Sequence, residues 1–242
     1  MLLMDPMRSA PLPERLPYSI AAPLLLMEQG TSGMQRLHLL IHAYQHVIRF
    51  LAVCLLCDYL RHPELRVPLG EEMLAGLQRP SPGHWVRVLR DLPRLFSHQG
   101  VRLFLHEWPG CLAALTRVTY AQCLSLDYAA PRIALPLLDA FLALRNVLAH
   151  GAASPDDVVA SQLYTHYHSL LTTLLRQMPF LQDVVLYRLT YQQRDDVRAV
   201  LLHGAHGPFV EVRLHRQDCF PTDTPMPKST DGVTSFLIPV WR

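Results

Sequence analysis

The stretch that decides the fold is LHLLIHAYQHVIRFLAVCLLCDYL, residues 37–60. Its apolar side chains recur at the spacing of one face of an α-helix: Leu37, Ile41, Tyr44, Ile48, Leu51 and Leu55. Thr31-Ser32 offers an N-cap before the stretch and Pro63 stops it. We therefore predict a first helix of about 30 residues, or roughly 45 Å. Six polar residues interrupt it, more than a membrane-spanning segment would carry together, so the pattern predicts a soluble core helix.

Further helices are predicted after this first one. Ser81-Pro82 opens a helix over residues 82–97, and shorter helices are expected at 70–79 and 110–125. A strong apolar pattern runs from Ile133 to His150, with Gly151 as the residue that ends the helix. Ser154-Pro155, followed by two acids, predicts the start of another helix that continues to about Gln177. Long antiparallel helices joined by short loops make a bundle.

The two ends of the chain differ from this helical middle. Four prolines within residues 1–18 predict a flexible, proline-rich arm. After Pro179 the pattern becomes alternating and β-branched, and it predicts strands over Val184–Tyr191, Val197–His203, Phe209–His215 and Val233–Val240. The predicted fold is thus mainly α, with an arm at 1–18, a helical bundle at 19–180 and a small antiparallel β-sheet in a C-terminal subdomain at 181–242.

Composition narrows the class of protein. A chain of 242 residues that is 50% hydrophobic is long enough to bury a core. A net charge of +2 provides no broad basic field, so contact with RNA would have to be local. The five cysteines are too scattered for a disulfide framework, and no basic region precedes an apolar stretch at the N-terminus. We expect a cytoplasmic protein without membrane association.

The residues best suited to catalysis lie in Leu144-Arg145-Asn146-Val147-Leu148-Ala149-His150-Gly151, which contains the only asparagine of the chain. Histidine can move a proton near neutral pH, and a fixed arginine can hold a phosphate and stabilise its transition state. RNA carries its own nucleophile, the 2′-hydroxyl, so the two residues could cleave it without metal and leave a 2′,3′-cyclic phosphate. On one helix Asn146 and His150 share a face, whereas Arg145 and His150 differ by about 140°. A two-fold dimer would bring two such pairs around one groove.

This arrangement resembles the HEPN superfamily. Arg145, Asn146 and His150, with Ala149 and Gly151, match the frequent RNxxAHG form of its motif near the end of a long bundle helix. The resemblance implies a dimeric, metal-independent endoribonuclease with Arg145, Asn146 and His150 as its catalytic residues, of the kind found in toxins and antiviral defence. It covers residues 20–180 in architecture and only this octapeptide in motif. The β-rich tail departs from the minimal HEPN fold.

Other candidate residues have simpler interpretations. His38, His42 and His46 lie on one helical face, but no carboxylate with suitable spacing completes a metal site, and we expect no metal or other cofactor. His42, His46 and Arg49 could instead line a groove that binds the RNA substrate. Cys54 and Cys57 have a C-x-x-C spacing inside an apolar helix, which favours buried core thiols over a redox motif.

Two alternatives to the nuclease stay open. The same HEPN-like bundle could be a non-catalytic module that dimerises or docks a partner in a defence or signalling system. It could also be a nucleotide-handling component, although the sequence contains no recognisable acidic metal-binding pair. Partners of the nuclease itself would be RNA, a second copy of the chain and an antitoxin or another defence protein.

Overall fold

A computed structural model shows a mainly α-helical chain with small antiparallel sheets. It describes residues 11–62, 65, 75–77, 79–117, 119–123, 132–150, 155–193, 196–202, 204, 211–215 and 237–241. The chain divides into two compact units, one formed by Leu26–Met178 and the other by Met1–Leu25 together with Pro179–Arg242. The helices are α1 (Tyr18–Glu28), α2 (Gly33–Arg61), α3 (Pro82–His98), α4 (Trp108–Arg117), α5 (Leu137–His150) and α6 (Asp157–Arg176).

Helix α2 is the long first helix that the sequence predicted, and it spans 29 residues of the larger unit. The Ser32 hydroxyl caps its start by accepting a hydrogen bond from the Gln35 N–H at 3.1 Å. All six apolar positions identified in the sequence are buried, and the helix packs mainly against α3 and α6. By length and composition alone α2 could cross a membrane, but 61% of its apolar stretch is buried within the protein. Burial of that kind is also what the core helix of a bundle shows.

The beginnings of α2 and α6 cross closely at Gly33. A side chain at this position would lie 2.5 Å from the Asp157 carbonyl oxygen, which leaves room only for glycine. The Asp157 carboxylate also accepts a hydrogen bond from the Met34 N–H at 3.1 Å. Asp156, not Ser154, caps α6, since its side chain accepts from the Val159 N–H at 2.8 Å, so the predicted cap was wrong by two residues. Asp is as good a cap as Ser, and sequence alone did not separate them.

Two of the predicted helices were too long because the range predicted for each included residues that form a β-strand. Residues 119–123 form strand β1 (Thr119–Cys123) after α4 has ended, so the helix predicted at 110–125 is wrong in its second half. Residues 132–136 form β2 (Arg132–Pro136), and α5 begins only at Leu137 rather than at Ile133. The two strands pair antiparallel, from Thr119 opposite Pro136 to Cys123 opposite Arg132. Pro136 favours an extended residue before it, which separates the strand from the helix.

The helix predicted over 70–79 lies mostly outside the described residues; residues 75 and 76 are helical. Gly151, predicted to end α5, and Ser154 also lie outside them. The helix predicted over 82–97 is confirmed as α3, and a capping box formed by Ser81 and His84 starts it.

The smaller unit contains the sheet predicted for the tail. Its strands are β3 (Val184–Gln193), β4 (Asp196–Leu202), β5 (Glu211–His215) and β6 (Leu237–Trp241), all antiparallel in the order β5-β4-β3-β6. Within residues 11–18 the predicted flexible arm was wrong. Leu12–Arg15 form a 3₁₀ turn, Leu16 is buried, and its carbonyl accepts from the Gly204 N–H at 2.9 Å. The prolines here begin helical turns instead of preventing them.

Candidate functional site

The first half of α5 is held firmly in the larger unit. The Tyr44 hydroxyl of α2 donates a hydrogen bond to the Leu138 carbonyl at 2.9 Å, and its ring stacks on Phe141 with 4.3 Å between centroids. The Tyr167 ring of α6 also contacts Phe141 in an edge-on arrangement, with 5.3 Å between centroids. Burial, reinforced by the nearby Asp139 carboxylate, raises the pKa of Tyr44, so its hydroxyl remains a hydrogen-bond donor. These contacts fix the direction of α5 before it reaches the motif.

An ion pair attaches α5 to α3 as well. Arg90 Nη2 lies 2.7 Å from Asp139 Oδ2, and both side chains are more than two-thirds buried. Shielding from water makes such a pair stronger than one on the open surface, and the short distance is typical of a charge-assisted hydrogen bond. The pair joins residues 49 positions apart. It therefore fixes the rotation of α5 about its own axis relative to α3.

The motif residues occupy the last two turns of α5. Arg145 is half-buried, Asn146 is exposed, and Arg145 Nη1 donates a hydrogen bond to Asn146 Oδ1 at 3.1 Å. His150 is the final helical residue, and its side chain lies outside the described part of the structure. The guanidinium thus reaches around the helix to the exposed side chain of its neighbour. This bond between the first two motif residues was not foreseen from their spacing.

That bond changes the geometry of the motif. The backbone positions of Arg145 and His150 differ by about 140° around the helix, but those of Asn146 and His150 differ by only about 40° and lie one turn apart. By holding the arginine fork, Asn146 directs the positive charge toward the helical face on which His150 is placed. Asn146 thus lies between the Arg145 guanidinium and the backbone position of His150.

The histidine face of α2 does not join this motif within one chain. Tyr44 marks the face of α2 that contacts α5, whereas His42 and His46 lie about 160° from it around the helix. The two imidazoles contact each other, with 3.3 Å between their Nε2 atoms, and Arg49 is exposed nearby on the same helix. The substrate-binding role suggested for these residues remains a prediction, and one that a single copy of the chain does not favour.

The described residues bear on two further kinds of site, a metal site and a reactive thiol. Within them, no three His, Cys, Asp or Glu side chains come together in a group that could hold a metal ion. Cys54 is buried and Cys57 half-buried; both are free thiols, and burial raises the pKa of each. A raised pKa leaves little reactive thiolate at neutral pH. For Cys54 the prediction of a buried core thiol is confirmed.

One cationic surface was missed in the sequence. Four side chains recur at intervals of three or four residues along α3, which places them within an arc of about 80° around the helix axis: Arg87, Arg90, Arg94 and His98. The last three border a groove of about 440 Å³ between α3 and α4. The spacing was visible in the sequence, but the groove depends on α4, whose end was predicted incorrectly.

Comparisons of the chain with protein-family models, with curated proteins and with solved structures give no match.

Proposed function

We propose that this protein is a metal-independent endoribonuclease of the HEPN type, acting as a cytoplasmic homodimer. The observation that carries the proposal is the hydrogen bond from Arg145 to Asn146, on the face of α5 that also contains His150. It is supported by the position of the motif at the end of a bundle helix whose first half is rigidly packed. A toxin or antiviral defence effector, restrained by an antitoxin or another defence protein, is the biological role we propose.

In this mechanism the RNA 2′-oxygen attacks the adjacent phosphorus while the bond from phosphorus to the 5′-oxygen breaks. A base removes the 2′-hydroxyl proton and an acid protonates the departing 5′-oxygen, which yields a 2′,3′-cyclic phosphate and a 5′-hydroxyl. His150 supplies one of these proton transfers, and His150 of a second copy supplies the other. Arg145 neutralises the charge that accumulates on the phosphate oxygens. Asn146 holds the guanidinium in position.

The test is cleavage of end-labelled single-stranded RNA by the purified protein in the presence of EDTA. We expect Arg145→Ala and His150→Ala to reduce the rate by roughly 10²–10⁴-fold, the usual contribution of a positioned proton-transfer or charge-stabilising group. Arg176→Ala, at an exposed position on α6, is the matched control and should cleave at the wild-type rate. If both motif variants fold and still cut RNA like the wild type, the proposal is wrong.

Asn146 offers a finer test of the same proposal. Asn146→Ala removes the acceptor that holds Arg145, whereas Asn146→Asp keeps an oxygen in place. A positioning role predicts that the alanine variant loses kcat with little change in KM and that the aspartate variant retains more activity. Equal loss in both would argue against positioning of the arginine.

The runner-up is a non-catalytic HEPN-like module that dimerises or docks a partner. The weak net charge of +2 and the additional sheet favour it. Expression in a bacterial host separates the two: growth arrest that His150→Ala abolishes supports the nuclease, and identical growth with both proteins supports the module. Light scattering of the purified chain measures whether it is a dimer.

A further inference from the structure

We propose that the groove between α3 and α4 holds a nucleotide of the RNA strand on which the α5 site acts, with Arg94 and His98 on the backbone phosphate. This inference rests on the proposed function, because it takes RNA as the ligand. It assigns to the chain a second contact surface that the octapeptide motif does not include.

The charges of the groove select an anion. Arg90, Arg94 and His98 line it, and none of the described residues that line it carries a carboxylate, although two carboxylates lie behind the arginines. Arg90 is paired with Asp139, but Arg94 is 73% exposed and lies 3.5 Å from Asp91, which Arg87 also contacts at 3.2 Å. An exposed ion pair of that length contributes little, so Asp91 holds the Arg94 guanidinium only weakly. Arg94 therefore keeps a charge to offer a ligand.

The other wall suits a base better than a second charge. Pro109 and Leu112 of α4 line the groove, and both are at least partly exposed, so they offer apolar surface near the arginines of α3. A phosphate on the arginine and histidine with a base in van der Waals contact with the apolar wall satisfies both halves of the site. A volume of about 440 Å³ is within the usual range for small-ligand sites.

The groove is also connected to the motif. Arg90 borders the groove and contacts Asp139, which lies on α5. Asn146 is seven residues beyond Asp139, nearly two full turns, so the two share one face of α5 about 10 Å apart along its axis. An RNA strand that runs along this face from the motif toward the N-terminal end of α5 would reach Arg90.

The experiment measures binding of a fully 2′-O-methylated RNA oligonucleotide, which cannot be cleaved, by fluorescence anisotropy at several salt concentrations. We expect Arg94→Glu combined with His98→Ala to raise Kd at least tenfold, and Arg94→Ala alone to reduce the salt slope by about 0.7, the value for one phosphate contact on a single strand. Arg176→Glu, an equally charged change on the exposed surface of α6, should leave Kd within twofold. Thermal melts confirm that each variant is folded.

The outcomes separate this inference from the proposed function. If the wild type cleaves RNA but the groove variants alter neither Kd nor KM, the groove assignment is overturned and the nuclease stands. If the wild type cuts no RNA yet the oligonucleotide binds through Arg94 and His98, the groove assignment is supported and the nuclease fails. The assignment to RNA would be overturned if a poly-glutamate peptide of the same charge bound with equal affinity. It would also be overturned if free AMP bound and the oligonucleotide did not.

Discussion

Replacing Gly33 with alanine should destabilise the larger unit by an amount that the structure allows us to estimate. The new Cβ would lie 2.5 Å from the Asp157 carbonyl oxygen and 2.8 Å from the Ser161 nitrogen, whereas ordinary contact begins at 3.4 Å. Both are backbone atoms that cannot rotate away, so α6 must retreat by about 0.9 Å. Overpacking of this kind costs up to about 3 kcal/mol, and the preference of a helix for alanine returns at most about 1 kcal/mol.

We therefore expect Gly33→Ala to lower the free energy of unfolding by about 2 kcal/mol, which corresponds to a fall in Tm of roughly 4–8 °C for a chain of this size. The assays are urea denaturation and calorimetry. Gly110→Ala in α4 is the matched control, because nothing lies within 4 Å of its added Cβ, and it should be neutral or slightly stabilising. If the two variants differ by less than about 0.5 kcal/mol, the close crossing of α2 and α6 is not what requires glycine.

Three further predictions concern buried polar groups. Tyr44→Phe removes the hydrogen bond to the Leu138 carbonyl and should lower the free energy of unfolding by about 1 kcal/mol in urea titrations; no change would mean that the bond does not hold α5. Burial raises the pKa of Asp58 despite the hydrogen bond from the Phe104 N–H, so the folded state binds its proton more tightly than the unfolded state. The contribution of Asp58 to the free energy of unfolding should therefore fall as the pH rises from 3.8 through the raised pKa. The stability of the wild type relative to Asp58→Asn should decline over the same pH range. A constant difference between the two proteins would contradict this. Cys54, whose pKa burial raises, should react with iodoacetamide at pH 8 much more slowly in the native protein than after unfolding, as mass spectrometry can measure; equal rates would refute its burial.

Helices with long, uninterrupted periodicity were predicted well because the pattern itself reports which face is buried. In α2 every predicted core position is buried. Strand β2 was missed because Ile133, Ala134 and Leu135 continue the apolar pattern of α5 without a break. A short apolar run does not distinguish a strand from a helical turn by periodicity. Pro136 was the available signal, since α5 begins directly after it.

The residues of the candidate site could be proposed from the sequence, but the contacts between their side chains could not. The placement of Arg145 and Asn146 on the last turns of α5 follows from helical periodicity. Their hydrogen bond depends on a rotamer choice, and the pair between Arg90 and Asp139 joins two distant helices. Neither can be read from local spacing, because each depends on how the helices pack. The cationic face of α3 could have been found from its intervals alone.

The order of the four-stranded sheet also has a consequence for assembly. Its outer strands among those described, β5 and β6, are five residues each, and each has a single neighbour. A long bare edge is a template on which strands of other molecules add, the route to fibrous aggregates. Here Pro239 removes one amide donor from β6, and exposed Glu211 and Arg213 place opposite charges along β5. Edge-to-edge growth of the four-stranded sheet is thereby discouraged.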